Sequence, residues 1–295
     1  MKKNYLFVFM LFALCKFTGH AQLIQNISIE EATTVPFYME NNSRIYHQIQ
    51  LFGENFDIFL DNGAPKTMFP STIIEKFTVL PDSLICQTFP KLPNTKDYKK
   101  RVVLGIGNYD LILDTIRCHI GMFQLGAELF ERRIVNLDFV NETLTLSNAL
   151  PEDIDTYIAI DMSSQKHENR FGVIQHYFLI QIPDFKGSFY QNIPLVFNVD
   201  LGGRTSVVSD KTIEKVDYTK FINDPTLISY LFSSEIMFNR PNLRVTYSDD
   251  GKVSEFPQEE AFAHFDGWIG VDILKRFHHV IFDYQGKKFY VKTLK

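Results

Sequence analysis

The sequence predicts a mainly β chain made of two equivalent halves. Three observations carry this. First, a phrase occurs twice: Ile58-Phe59-Leu60-Asp61-Asn62-Gly63-Ala64 and Val196-Phe197-Asn198-Val199-Asp200-Leu201-Gly202-Gly203 are both apolar runs ending in Asp-x-Gly. Second, each copy is followed by a matching pair of phrases. These are Leu125-Gly126-Ala127-Glu128-Leu129 and Ile134-Val135-Asn136-Leu137-Asp138-Phe139 in the first half, and Ile269-Gly270-Val271-Asp272-Ile273-Leu274 and His279-Val280-Ile281-Phe282-Asp283-Tyr284 in the second. Asp61 and Asp200 lie 139 residues apart, Gly126 and Gly270 144, and Asp138 and Asp283 145. A near-constant offset marks a duplicated unit. Third, short runs rich in Ile, Val, Leu, Phe and Thr alternate with turn residues, while helical patterns are few and short.

Taken in order, residues 1–21 read as an export leader. Lys2 and Lys3 give a positive start, Tyr5 to Cys15 is apolar but short for a bilayer span, and Gly19-His20-Ala21 supplies small residues for cleavage before Gln22. A retained anchor and a lipid acceptor at Cys15 are weaker readings. Lys16 interrupts the apolar run, and Leu14 sits where the lipid signal wants a small residue. The expected destination is periplasmic, outer-envelope or secreted. Residues 22–40 could be a removed propeptide, but Ile27 to Glu31 has no clear processing signal.

Strands are expected at Ile45–Leu51, Phe56–Leu60, Arg101–Leu104, Tyr109–Ile120, Thr143–Leu146, Tyr177–Ile182, Leu195–Val199, Leu243–Tyr247, His279–Asp283 and Lys288–Val291. Val140-Asn141-Glu142 reads as a hairpin turn, and Asn62-Gly63, Asp249-Asp250-Gly251 and Gln285-Gly286 are turn residues that punctuate the runs. Helices are expected at Glu128–Arg132, Asp210–Val216, Asp272–Phe277 and, less clearly, Pro225–Phe232. Pro151 and the acids around it suggest a boundary near 147–155. The two lobes would then span 22–150 and 151–295. Asp153, Asp155 and Asp161 lack the spacing of a calcium loop and read as solvated linker.

The chain carries a net charge of −5, and losing the leader, with its three lysines and no acid, makes it −8. That balance argues against a nucleic-acid partner. With the leader gone, no membrane span is expected. The mature chain keeps Cys86 and Cys118, which could form one disulfide or remain two thiols.

The repeated Asp-x-Gly has a chemical reading. A buried strand delivers each acid to an interior seam, and the glycine lets two loops approach closely. Two carboxylates held together cannot both ionise, so the pair shares a proton. The ionised member can activate a water while the protonated one donates to a carbonyl oxygen. A single Asp-x-Gly is usually only a turn; its duplication at one place in a repeated unit is what shifts the weight.

At these residues the chain resembles the pepsin and retropepsin-like aspartic proteases, notably exported bacterial aspartyl proteases. Gln124-Leu125-Gly126 and Trp268-Ile269-Gly270 resemble the segment that threads beside each catalytic loop. Asp138-Phe139 and Asp283-Tyr284 resemble the strand closing each lobe, and Gly63-Ala64 is similar to the retroviral-type ending. The resemblance implies a two-lobed pepsin-like fold from a duplicated retropepsin-like β-barrel unit. It implies peptide hydrolysis by Asp61 and Asp200, with Asn62, Gly63, Ala64, Leu201, Gly202, Gly203, Gly126 and Gly270 supporting the loops. The family's threonine is replaced by Asn62 in one loop and Leu201 in the other. Asn62 could replace part of the hydrogen bonding across the seam; Leu201 could not, leaving a buried partner unsatisfied at about 1–3 kcal/mol.

Leu104-Gly105-Ile106-Gly107-Asn108-Tyr109 is the best candidate for a mobile flap, with Gly105, Gly107 and Tyr109 as its working residues, although an ordinary hairpin is the better reading of the segment on its own. No Gly-x-Ser-x-Gly or His-Glu-x-x-His occurs. His278-His279, adjacent on a strand, should point to opposite faces and not share a metal. No cofactor is signalled. The leading expectation is an aspartic peptidase acting on a peptide or protein in an interlobe cleft. The second is an impaired descendant that binds a peptide or envelope partner there, and the third is a structural envelope component.

Overall fold

The structure is a computed structural model that describes residues 32–41, 44–90, 92, 94–121, 123–168, 174–181, 196–204, 206–208, 237–238 and 265–293. The expected leader, the stretch Ile27–Glu31, the helices Asp210–Val216 and Pro225–Phe232, the strand Leu243–Tyr247 and the turn Asp249–Gly251 lie outside these residues.

The first half runs β1 (Thr33–Glu40), β2 (Arg44–Leu51), β3 (Glu54–Leu60), β4 (Met68–Pro70), α1 (Ser71–Phe77), β5 (Ile85–Thr88), β6 (Lys96–Tyr98), β7 (Val102–Ile106), β8 (Tyr109–Leu113), β9 (Ile116–His119), β10 (Gln124–Leu125), α2 (Ala127–Arg132), β11 (Ile134–Asp138) and β12 (Thr143–Ser147). The second runs β13 (Ile158–Glu168), β14 (Ile174–Gln181), β15 (Val196–Val199), β16 (Val207–Val208), β17 (Met237–Phe238), β18 (Gly267–Ile269), α3 (Val271–Leu274), β19 (Phe277–Asp283) and β20 (Lys288–Thr293). The chain is mainly β, as expected, and its described helices are short.

The halves meet in one antiparallel sheet, ordered β1-β12-β11-β19-β20-β13. At its centre β11 pairs with β19, Val135 opposite Phe282, Asn136 opposite Ile281 and Leu137 opposite Val280. Exchanging each residue for its mate 145 positions away returns the same pairs. The junction is therefore isologous within one chain, with its axis at Asn136 and Ile281.

Alternation decides which faces are buried. Val135 and Leu137 in β11, Leu144 and Leu146 in β12, Val280 and Phe282 in β19, and Phe289 and Val291 in β20 are all buried. Phe130 of α2 lies edge-on to Phe282, ring centroids 5.2 Å apart, and to Phe178 of β14 at 5.9 Å. Rings from both halves thus share one core, each burial contributing about 2–3 kcal/mol.

The outer strands change partners in the same way. Thr33–Pro36 of β1 pair with β12, whereas Phe37–Glu40 pair with β2. Ile158–Asp161 of β13 pair with β20, and Met162–Glu168 with β14. Pro36 sits at the first switch point, where its missing N–H is tolerated. The run-based reading passes over this strand-with-proline, α1, the long β13 and the short strands β4, β5 and β6. The expected strand Tyr109–Ile120 is two strands, β8 and β9, broken between Leu113 and Ile116. The turn at Val140–Glu142 forms as expected, with Glu142 at φ 51°.

Candidate active site

β3 and β15 lead directly into Asp61 and Asp200, the first residues after each strand. Each strand is pinned by a short parallel partner threaded beside it. Leu125 of β10 lies opposite Leu60, and Ile269 of β18 opposite Val199. The Asp61 N–H donates to the Leu125 carbonyl at 2.9 Å, and the Asp200 N–H to that of Ile269 at 3.0 Å. The loops then close alike. Ala64 N–H reaches the Asp61 carbonyl and Gly203 N–H the Asp200 carbonyl, both at 3.2 Å. Their own carbonyls accept from Ala127 and Val271, the first residues of α2 and α3, at 2.7 and 3.0 Å.

The two carboxylates face one place. A Cβ on Gly63 would lie 3.2 Å from Asp200 Oδ1 and 3.3 Å from Asp61 Oδ1, so both acids border the same point. A Cβ on Gly202 would lie 2.6 Å from Asp61 Cγ. Any side chain there would overlap the carboxyl group, so glycine is required by close approach. Asp61 Oδ1 accepts from Gly63 and Ala64 N–H at 3.0 and 3.1 Å, and Asp200 Oδ1 accepts from Gly202 N–H at 2.9 Å. These bonds favour the ionised forms. Burial opposes them, and for Asp61 so does the neighbouring Asp200 charge. The net result is an Asp61 pushed up to about 7. Asp200 is also raised, by burial, against the N–H groups of Gly202 and Gly203. The proton belongs to the pair.

Asn62 is fully buried and crosses the seam. Its Nδ2 donates to the Val199 carbonyl at 2.7 Å, and its Oδ1 accepts from the Leu201 N–H at 2.7 Å. One amide therefore grips the second loop on both sides of Asp200. Leu201, its counterpart, is fully buried and apolar, as its type requires.

A second tier of support was not singled out from the sequence. Thr67 Oγ1 donates to Glu128 Oε2 at 2.7 Å and accepts from Gly126 N–H at 3.2 Å. In the other half Ser206 Oγ donates to Asp272 Oδ1 at 2.6 Å and accepts from Gly270 N–H at 2.8 Å. The offsets carry the signal: Thr67 and Ser206 are 139 apart, like the aspartates, and Glu128 and Asp272 are 144 apart, like the glycines. Burial raises the Glu128 carboxyl, against its Thr67 bonds. Lys66, next to Thr67, donates to Asp97 at 3.0 Å, and Asp97 is gripped by Arg117 at 2.7 and 3.1 Å. From the second half, the His176 N–H donates to the Gly63 carbonyl at 3.0 Å.

Two readings left alternatives open, and one expectation needs correction. The hairpin β7–β8 forms and packs against β1 and β2. Gly105 pairs with Gln50 of β2, and a Cβ on Gly107, at φ 57°, would lie 2.7 Å from Val35 Cγ1 and 3.1 Å from Thr33 Oγ1. Asn108 N–H donates to Thr33 Oγ1 at 3.0 Å, and Tyr109 is buried under the Arg133 guanidinium, 4.5 Å from its ring. Cys86 and Cys118 are both free thiols. They lie on β5 and β9 with β6 between them. Two strand spacings exceed the roughly 7 Å that a disulfide spans. Lastly, His278 and His279 do not diverge. The β19–β20 register shifts between Phe277 and His279, and this irregularity brings the two imidazoles to 4.3 Å between centroids.

No family model matches the chain, and no curated protein matches it. Solved structures do. The chain is similar in fold to aspartic proteases. An aspartic proteinase from Irpex lacteus is 10% identical, with 90% of this chain and 98% of that one covered and a TM-score of 0.43. A retropepsin-like aspartic protease from Rickettsia conorii is 16% identical, with 39% of this chain and 91% of that one covered and a TM-score of 0.31. No described helix is long and apolar enough to cross a membrane.

Proposed function

We propose that this chain is an aspartic endopeptidase in which Asp61 and Asp200 activate a water between them. The observation that carries this is the meeting of both carboxylates at one point over Gly63. Packing strips much of their hydration, and the two negative charges repel, so the pair keeps one proton well above the usual carboxylate range. The ionised oxygen takes a proton from the trapped water as it attacks a peptide carbonyl. The protonated carboxyl donates to the carbonyl oxygen as negative charge develops there. The proton then passes to the leaving nitrogen as the C–N bond breaks.

The Asn62 amide supports activity because it holds the second loop where a threonine pair would otherwise be needed. Leu201 supports the alternative of a peptide binder with weak turnover, since the grip comes from one side only. The substrate lies between lobes spanning 22–150 and 151–295, and the leader directs the protein to the envelope or the medium.

The test is turnover. Purified Gln22–Lys295 should cleave a mixed peptide library fastest on the acidic side of neutrality. Asp61→Asn and Asp200→Asn should each abolish cleavage while leaving the far-ultraviolet circular dichroism unchanged. Cleavage surviving in either variant rules the dyad out. Peptide binding without cleavage by the parent chain selects the binder.

A further inference from the structure

We propose that Asp138, His278 and His279 form a binding site for a divalent transition-metal ion of the zinc type, one that staples the two halves together. The ligand atoms these residues offer all lie within 4.8 Å of one another. His278 Nε2 is 3.6 Å from Asp138 Oδ1, and His279 Nε2 is 3.7 Å from Asp138 Oδ2. Ligands about 2.0–2.1 Å from a tetrahedral zinc stand roughly 3.3–3.4 Å apart; the two histidine–carboxylate distances exceed this by a few tenths of an ångström, and any wider separation within the 4.8 Å limit closes by rotation of the partly exposed imidazoles.

The surroundings prepare these groups as ligands. The Asp138 carboxylate is held by N–H groups of Val140 and Asn141 at 2.9 and 3.0 Å and by the Asn141 amide at 2.6 Å. His279 Nδ1 lies 3.2 Å from Asn136 Oδ1. With Nδ1 donating to that oxygen, Nε2 carries the lone pair and points at the carboxylate. Such an outer hydrogen bond is the usual companion of a metal-bound histidine. Two imidazoles and one carboxylate suit zinc and its late first-row neighbours rather than calcium or magnesium. Asp138 is nearly buried, while His278 and His279 are partly exposed, so an ion can enter and a water can complete its shell.

Duplication does not account for this cluster. The mates of Asp138, His278 and His279, at the offset of 145, are Asp283, Arg133 and Ile134. Only one end of the β11–β19 junction therefore carries imidazoles. The register irregularity in β19 is what turns both to the same side. Asp138 ends β11 and faces His279 across the junction, so an ion held here would bind strands from both halves.

The proposal is independent of peptide hydrolysis. Untagged, chelator-stripped protein should be titrated with Co2+ and followed by its visible absorption. One equivalent should produce a saturating tetrahedral-type spectrum that Zn2+ displaces. Zn2+ at about a hundredfold excess over its Kd should raise Tm on the order of 5 °C. The His278→Gln/His279→Gln double variant and, separately, Asp138→Asn should lose both responses. The double variant serves as the control if Asp138→Asn fails to fold, because it leaves the turn after β11 intact. Absence of a saturable spectrum and of a Tm rise in the parent chain overturns the proposal. So does the same response in the double variant, whose metal would then sit elsewhere.

Discussion

The side chain of Asn62 accepts a hydrogen bond from the backbone of Leu201, at 2.7 Å, although the two hold the same place in their respective loops. The duplicated unit has thus become asymmetric at its most sensitive point. One residue supplies the polar contacts across the seam, and the other supplies only packing. The side-chain grip between the two loops consequently comes from one amide, while the His176 N–H holds the Gly63 carbonyl from the second half.

Replacing Asn62 by Ala should remove both cross-seam bonds and leave the Val199 carbonyl and Leu201 N–H buried without partners. Each orphan costs about 1–3 kcal/mol. A Tm loss of roughly 4–12 °C is expected for a chain of this size. Activity should fall about a hundredfold, because the second aspartate is no longer held. Calorimetry and peptide turnover on the same preparation check this. A Tm within a degree of the parent would show that the amide contributes no stability.

Asp61→Asn should change the dependence of stability on pH in a defined direction. The folded-state carboxyl is raised to about 7 from 3.8, so the native state binds more protons than the unfolded chain between those values. Stability of the parent chain therefore falls as pH rises from about 4 to about 7. Asparagine removes the charge and keeps an oxygen for the Gly63 and Ala64 N–H groups. The variant should gain Tm relative to the parent at pH 8 and gain less, or lose, at pH 5. Thermal melts at the two pH values decide it; an equal difference at both would contradict the raised carboxyl.

The two loop glycines should respond unequally. A Cβ at Gly202 would overlap Asp61 Cγ at 2.6 Å, whereas one at Gly63 would meet carboxylate oxygens at 3.2 and 3.3 Å. Gly202→Ala should therefore abolish turnover and lower Tm by several degrees. Gly63→Ala should need only a shift of a few tenths of an ångström and retain measurable activity. Equal defects would mean the loops are placed differently from this description.

Thiol labelling should distinguish the cysteines. Cys86 is exposed, while Cys118 is buried and its thiol is pushed up to about 12 by burial, then by the Glu75 and Asp97 charges. In native Gln22–Lys295 an alkylating reagent should modify Cys86 alone, and Cys118 should react only in denaturant. Peptide mass mapping reads this directly. Protection of both, lifted by a reductant, would indicate a bridge.

The repeat and the aspartates were legible because a constant offset and a short loop phrase are one-dimensional signals. That Gln124–Gly126 and Trp268–Gly270 thread beside the loops is what the family resemblance implied, and the pairing of Leu125 with Leu60 and of Ile269 with Val199 gives it a register. Other features depend on three-dimensional neighbours. Gly105 and Gly107 read as a flexible tip, yet Gly105 lies against Gln50 and Gly107 against Thr33 and Val35, all more than fifty residues earlier. The strand period predicts that His278 and His279 diverge, and a one-residue irregularity cancels that period. Asn62 looked like half a replacement for a threonine; that one amide reaches both Val199 and Leu201 follows from its length and the loop spacing. β1 escaped notice because Pro36 interrupts its pattern at the very residue where the strand leaves one sheet for another.

The self-matching register of β11 against β19 has a consequence for the isolated halves. Severed near residue 150, the first portion would present Ile134–Asp138 as a bare backbone edge with Val135 and Leu137 uncovered. Because Val135 and Leu137 take the places of Val280 and Phe282 under exchange, that edge is close to complementary to itself. Two copies would tend to zip together through it, bringing two Asp61 loops to one seam, each with its own Asn62 to reach across.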